Sequence, residues 1–116
     1  RPMKALFILN DPPYGTERSF NGLRLAKALA GKGAQVTVFL MADAVACAKS
    51  GQKVPQGYYN LELMTKSIGR GGEVLLCGTC MDARGIADAE LVEGARRSTM
   101  DELAEATLAA DQVLVF

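Results

Sequence analysis

Four short apolar runs, at residues 4–9 (KALFIL), 35–41 (QVTVFLM), 73–77 (EVLLC) and 112–116 (QVLVF), are separated by segments long enough to hold a helix. Unbroken hydrophobicity, rather than strict alternation, is the pattern of a strand covered on both faces of its sheet. Strand, helix and strand follow one another within the first forty or so residues, the unit that gives a parallel pair with a right-handed crossover. The chain therefore reads as α/β: a mostly parallel sheet of four to five strands with helices on both faces.

The segments between the runs carry helix signals. Phe20, Leu23, Leu25, Ala26, Leu29 and Ala30 recur at helical spacing, with Ser19 placed to cap the start and Gly31 and Gly33 beyond the end. Leu61, Leu63, Met64 and Ile68 predict a second helix over 60–68, closed by Gly69 and the Gly71-Gly72 pair. Thr99 three residues before Glu102 predicts a capping box opening a helix over 99–110. Residues 42–48 suit a short helix, 88–95 one or two helical turns, and 50–57 (SGQKVPQG) a loop fit to serve as a lid.

A chain of 116 residues gives one domain, residues 1–116, with a core large enough to need no staples. Thirteen basic and thirteen acidic residues cancel. Beyond Arg96-Arg97 no basic run exists, so no nucleic-acid partner is expected. The apolar runs are far shorter than the roughly 20 residues that span a bilayer, so no membrane partner is expected. The start of the chain leaves no room for a signal peptide, and three cysteines, an odd number, do not make a secreted disulfide framework. The expected compartment is the cytoplasm.

Parallel sheets of this kind bind ligands outside the carboxyl ends of their strands. The stretch Cys77-Gly78-Thr79-Cys80, continuing to Arg84 and Gly85, is where residue types favour reactivity. A cysteine closing a buried strand before a helical turn meets free backbone N–H groups, which favour the thiolate. Gly78 keeps the approach open, Thr79 can cap the turn, Arg84 can add positive charge, and Cys80 lies about one turn on, where it can resolve a modified Cys77. The alternative is that Cys77 is a small apolar residue packed at a strand end. With no histidine, and only two ligands from one C-x-x-C pair, no metal site is expected. Cys47 reads as core packing.

After the first strand, Asn10, Tyr14, Gly15 and Thr16 in the loop 10–16 either form a pocket wall with backbone N–H groups for an anion, or simply redirect the chain. The loop lacks the glycine–lysine pattern of a phosphate loop. Tyr58 and Tyr59 suit a pocket or an interface equally.

These segments together, the loop Asp11-Pro12-Pro13-Tyr14-Gly15-Thr16, the cysteine stretch ending Arg84-Gly85, and Met100-Asp101-Glu102-Leu103-Ala104-Glu105-Ala106 before the last run, resemble the DsrE/DsrF-like family, which includes the sulfur-relay subunits DsrE and TusD. The resemblance implies a three-layer α/β/α sandwich assembled as a homo-oligomer, a trimer or hexamer, or with sister subunits. It also implies a cysteine eight residues before the glycine of the Arg-Gly pair, here Cys77, that accepts sulfane sulfur as a persulfide and passes it between donor and acceptor proteins. No cofactor is implied. The chain departs from the relay pattern in carrying Cys80 where those subunits often have a small residue, which admits a Cys77/Cys80 redox pair. A binding module without catalysis is the reading from a different class.

Overall fold

The computed structural model describes all residues 1–116. Five strands, β1 (Lys4–Leu9), β2 (Gln35–Leu40), β3 (Glu73–Cys77), β4 (Ala95–Ser98) and β5 (Gln112–Val115), form one sheet in the order β4-β3-β2-β1-β5. Every pairing is parallel. Four helices connect them: α1 (Arg18–Gly31), α2 (Leu61–Gly71), α3 (Gly78–Ala83) and α4 (Met100–Ala109). The fold is α/β, with helices on both sides of an all-parallel sheet.

Strand pleat decides how the apolar runs are used. Ala5, Phe7, Leu9, Val36, Val38, Leu40, Val74 and Leu76 point to one face, where α1 and α2 bury them with Leu23, Ala26, Leu61 and Ile68. Leu6, Phe39 and Leu75 point to the other face, where Leu103 of α4 meets them. Burial on both sides is why these strands lack alternation. The layers are unequal, since nineteen buried residues form the first cluster and four the second. Val113, Val115 and Leu108 remain exposed around the β5 edge.

Several local expectations change. Helix α1 starts at Arg18, so Ser19 lies inside it and donates its hydroxyl to the Asp11 carbonyl at 2.7 Å; the Thr16 hydroxyl accepts the Arg18 amide instead. Only half of the expected capping box forms, because Thr99 accepts the Glu102 amide while the Glu102 carboxylate turns to Arg96 and Ser98. The expected helix over 88–95 reduces to a three-residue 3₁₀ turn, Asp88–Glu90, followed by the edge strand β4. Residues 42–48 form a 3₁₀ helix. No helix is long and apolar enough to cross a membrane.

Candidate functional site

Strand β3 runs without a connecting loop into α3, and Cys77 is both the last strand residue and the N-cap of the helix. Its Sγ accepts the amide N–H of Cys80 at 3.3 Å and lies 3.3 Å from the Thr79 hydroxyl. A sulfur in this position takes the place of the side-chain oxygen that normally satisfies a first-turn amide.

Cys77 is only partly buried, and it opens on a cleft of about 320 Å³. Phe39, Gly78, Thr79, Arg97, Ser98 and Met100 are among its lining residues. A hollow of similar size, about 360 Å³, lies at the opposite end of the sheet between the ends of α1 and α2, but no cysteine lines it. The thiol chemistry is confined to the cysteine cleft.

Burial pushes the Cys77 thiol up, but hydrogen bonds from the Cys80 thiol, the Thr79 hydroxyl and the Cys80 and Thr79 amides outweigh it, so the thiol sits below its ordinary value. Its neighbour goes the other way. Burial and the hydrogen bond to Cys77 raise the Cys80 thiol, against an opposing amide N–H from Ala42. Cys47 is fully buried in the core, where loss of solvent drives its thiol up to about 12 and makes it inert.

Ala42 is notable for its backbone. It is the non-glycine residue with positive φ, +50°. An L-residue there is uncommon and costs of order 1 kcal/mol. It is the amide of this residue that opposes the upward push on the Cys80 thiol.

Arg97 fixes the start of α3 from the neighbouring strand. It donates to the Gly78 carbonyl at 3.0 Å and to Asp88 at 2.8 Å, and pairs with Asp82 at 3.0 Å. Gly78 is required because a Cβ there would lie 2.9 Å from Arg97 Nη1, 3.1 Å from Arg97 Cγ and 3.2 Å from the Ser98 carbonyl oxygen.

Of the residues singled out in the sequence, the structure brings Gly78, Thr79 and Cys80 to Cys77. Arg84 stands just behind, donating to the Cys80 carbonyl at 3.1 Å and to Asp43 at 2.9 Å, outside the cleft. The loop 10–16 is elsewhere, because β2 separates β1 from β3. Asn10 binds the Phe116 carbonyl at 3.1 Å, Thr16 donates to Asp11 at 2.6 Å, and Gly15 packs on Pro12. The Tyr14 hydroxyl donates to Gln52 at 2.5 Å and accepts the Leu61 amide at 3.1 Å. Residues 50–57 do not cover Cys77 either, since Gln52 ties them to the carbonyls of Ala46, Cys47 and Lys49.

Sequence reasoning missed Arg97, Phe39, Met100 and Ala42. Arg97 had one signal, its membership of the sole basic pair, but its role depends on Cys77 lying in register with Ser98 across β3 and β4. No group of three or more His, Cys, Asp or Glu side chains is gathered to hold a metal.

An all-parallel α/β domain with a partly exposed cysteine at the junction of a central strand and a short helix defines a class of small α/β proteins with a strand-end thiol. The profile of the DsrE/DsrF-like family matches residues 3–116, and the chain belongs to that family. It is 41% identical over 115 residues to Protein YchN of Escherichia coli (strain K12), covering 97% of this chain and 98% of YchN. It is 36% identical over 114 residues to protein MJ0989 of Methanocaldococcus jannaschii, covering 98% of this chain and 100% of that one. The crystal structure of the E. coli ychN protein superposes with a TM-score of 0.93 at 42% identity, over 98% of this chain and 99% of that one. MTH1491 of Methanobacterium thermoautotrophicum, at 13% identity with a TM-score of 0.71 over 98% of this chain and 99% of that one, shares the fold.

Proposed function

We propose that this chain is a sulfur carrier of the relay type, with Cys77 as the atom that holds the cargo. Membership of the family points to a sulfur-relay role; the observation supporting the finer reading is the partly exposed Cys77 sulfur, held toward its anion by two amides and a hydroxyl at the mouth of a cleft. The Cys77 thiolate attacks the outer sulfur of a donor persulfide, forming Cys77–S–SH and releasing the donor thiolate. An acceptor cysteine then attacks that outer sulfur, and Cys77 leaves as the thiolate its neighbours already stabilise. Neither step changes the net oxidation state, so no cofactor takes part.

Arg97 and Gly78 keep the amides aimed at the sulfur, and Phe39 and Met100 give the cleft an apolar wall against which a donor or acceptor segment can lie. Self-assembly into a trimer or hexamer in the cytoplasm belongs to the same proposal. The exposed Val113, Val115 and Leu108 offer an apolar surface that a second copy would cover, and light scattering after gel filtration reads the resulting mass.

The carrier reading is tested in the Cys80→Ser protein, so that a second thiol does not intervene. After incubation with glutathione persulfide, the tryptic peptide 71–84, which holds Cys77 but not Cys47, gains the mass of one sulfur. Adding Cys77→Ser abolishes the gain. A Cys80→Ser protein whose 71–84 peptide gains no sulfur would refute the carrier role.

A further inference from the structure

The second thiol of the site has no part in simple carriage, yet it is built into the turn that holds the first. Cys80 lies three residues beyond Cys77 in the first turn of α3, and its own amide nitrogen is 3.3 Å from the Cys77 sulfur. That contact folds residues 77 and 80 together across a single turn. Residues three apart on a helix hold their Cβ atoms roughly 5–6 Å apart, and a disulfide needs about 4 Å, so a small movement of one turn closes the gap. A carrier designed only to hold sulfur would gain nothing from such a neighbour.

We infer that Cys80 discharges sulfur from Cys77 when no acceptor takes it, so that the chain also acts as a sulfide-releasing persulfide reductase through a Cys77–Cys80 disulfide. This rests on the persulfide reading of Cys77. The Cys80 thiolate attacks the inner sulfur, Sγ of Cys77, and the outer sulfur leaves with the bonding pair as hydrosulfide. The sulfane sulfur is reduced to sulfide, and the two cysteine sulfurs are oxidised together to the disulfide. The proton lost by Cys80 goes to solvent, and a dithiol reductant restores both thiols.

Two features set the balance between carriage and discharge. Transfer to a partner goes through the outer sulfur and discharge through the inner one, so the two reactions compete for one intermediate without sharing a target atom. Burial and the Cys77 neighbour push the Cys80 thiol up, which slows discharge and leaves time for an acceptor. Ala42, held at φ +50°, supplies the amide that steadies the small anionic fraction.

The test follows hydrosulfide and peptide mass together after glutathione persulfide is added to the reduced full chain. The wild type releases one hydrosulfide per chain, and its 71–84 peptide ends two hydrogens lighter, as an internal disulfide. Cys80→Ser and Cys80→Ala both keep the extra sulfur and release hydrosulfide at least about tenfold more slowly. Two variants are used so that a local effect of the serine hydroxyl is not mistaken for lost chemistry. If the wild type holds its extra sulfur as long as the variants do, discharge is refuted and carriage stands. If neither variant ever gains a sulfur, both readings fall.

Discussion

Replacing Gly78 with alanine sets two opposite effects against each other, and the structure decides which wins. In a helix, Gly→Ala stabilises by about 0.5–1 kcal/mol, and less at a first-turn position. The new Cβ, however, would lie 2.9 Å from Arg97 Nη1, 3.1 Å from Arg97 Cγ and 3.2 Å from the Ser98 carbonyl. The tip of an arginine normally swings aside at little cost, but this one is held by Gly78, Asp82 and Asp88, and neither Cγ nor the backbone carbonyl can retreat. Overpacking of this kind costs about 1–3 kcal/mol, so Gly78→Ala is expected to destabilise by a net ~0.5–2 kcal/mol. Gly71→Ala is the control, because a Cβ there meets nothing within 4 Å and the helix gain stands alone. Urea unfolding of both variants at one protein concentration reads the two signs. Adding Arg97→Ala to Gly78→Ala relieves two of the three close approaches, so the double variant is more stable than the sum of the singles. A Gly78→Ala protein as stable as wild type would show that α3 is not wedged against β4, and the account of how Arg97 positions the Cys77 turn would go with it.

Iodoacetamide labelling of Cys77 is expected to follow a thiolate that forms below the ordinary thiol range, and Thr79→Val, which removes one of its donors, should move the pH midpoint upward and slow labelling at neutral pH; an unchanged profile would count against the hydroxyl. Glu102, bonded by Arg96 and Ser98, is held down at about 2, below its unfolded value, so its stabilisation is full above the unfolded value and is lost as pH falls through the interval toward 2. With its side chain about a third exposed, solvent screening limits this to about 1 kcal/mol, and Glu102→Gln should flatten the acid limb of a pH–stability curve by that amount. Gly72→Ala would place a Cβ 2.4 Å from the Val36 carbonyl oxygen between β2 and β3, and is expected to cost more than about 3 kcal/mol, measured by denaturant melts.

Strands β1, β2 and β3 were legible because burial on two faces leaves a continuous apolar run in the sequence, and β5 because its run Val-Leu-Val is apolar although the strand lies at an edge and is largely exposed. Strand β4, Ala-Arg-Arg-Ser, left none: it is an edge strand with a single neighbour, and its arginines serve ion pairs instead of a core. The acidic, alanine-containing residues before it therefore read as a helix. The cysteine turn was legible as a strand end followed by turn formers, because that signal is local. Grouping Tyr14 and Asn10 with Cys77 required the strand order, which is set by pairings between distant segments and appears nowhere in the sequence around them. The left-handed Ala42 gave no sign at all, since alanine has no preference for that conformation and only tertiary contacts hold it there.

The tyrosines of the chain have all been drawn to one corner. The rings of Tyr58 and Tyr59 stack at 4.4 Å, Tyr14 lies 5.9 Å from Tyr59, and Phe20 closes the stack from below at 4.1 Å. With three tyrosines and no tryptophan in the sequence, the intrinsic fluorescence of this protein is an optical report on that corner alone. Tyrosine emission therefore follows that corner and not residue 77, and a ligand or subunit settling on the aromatic stack would register at once.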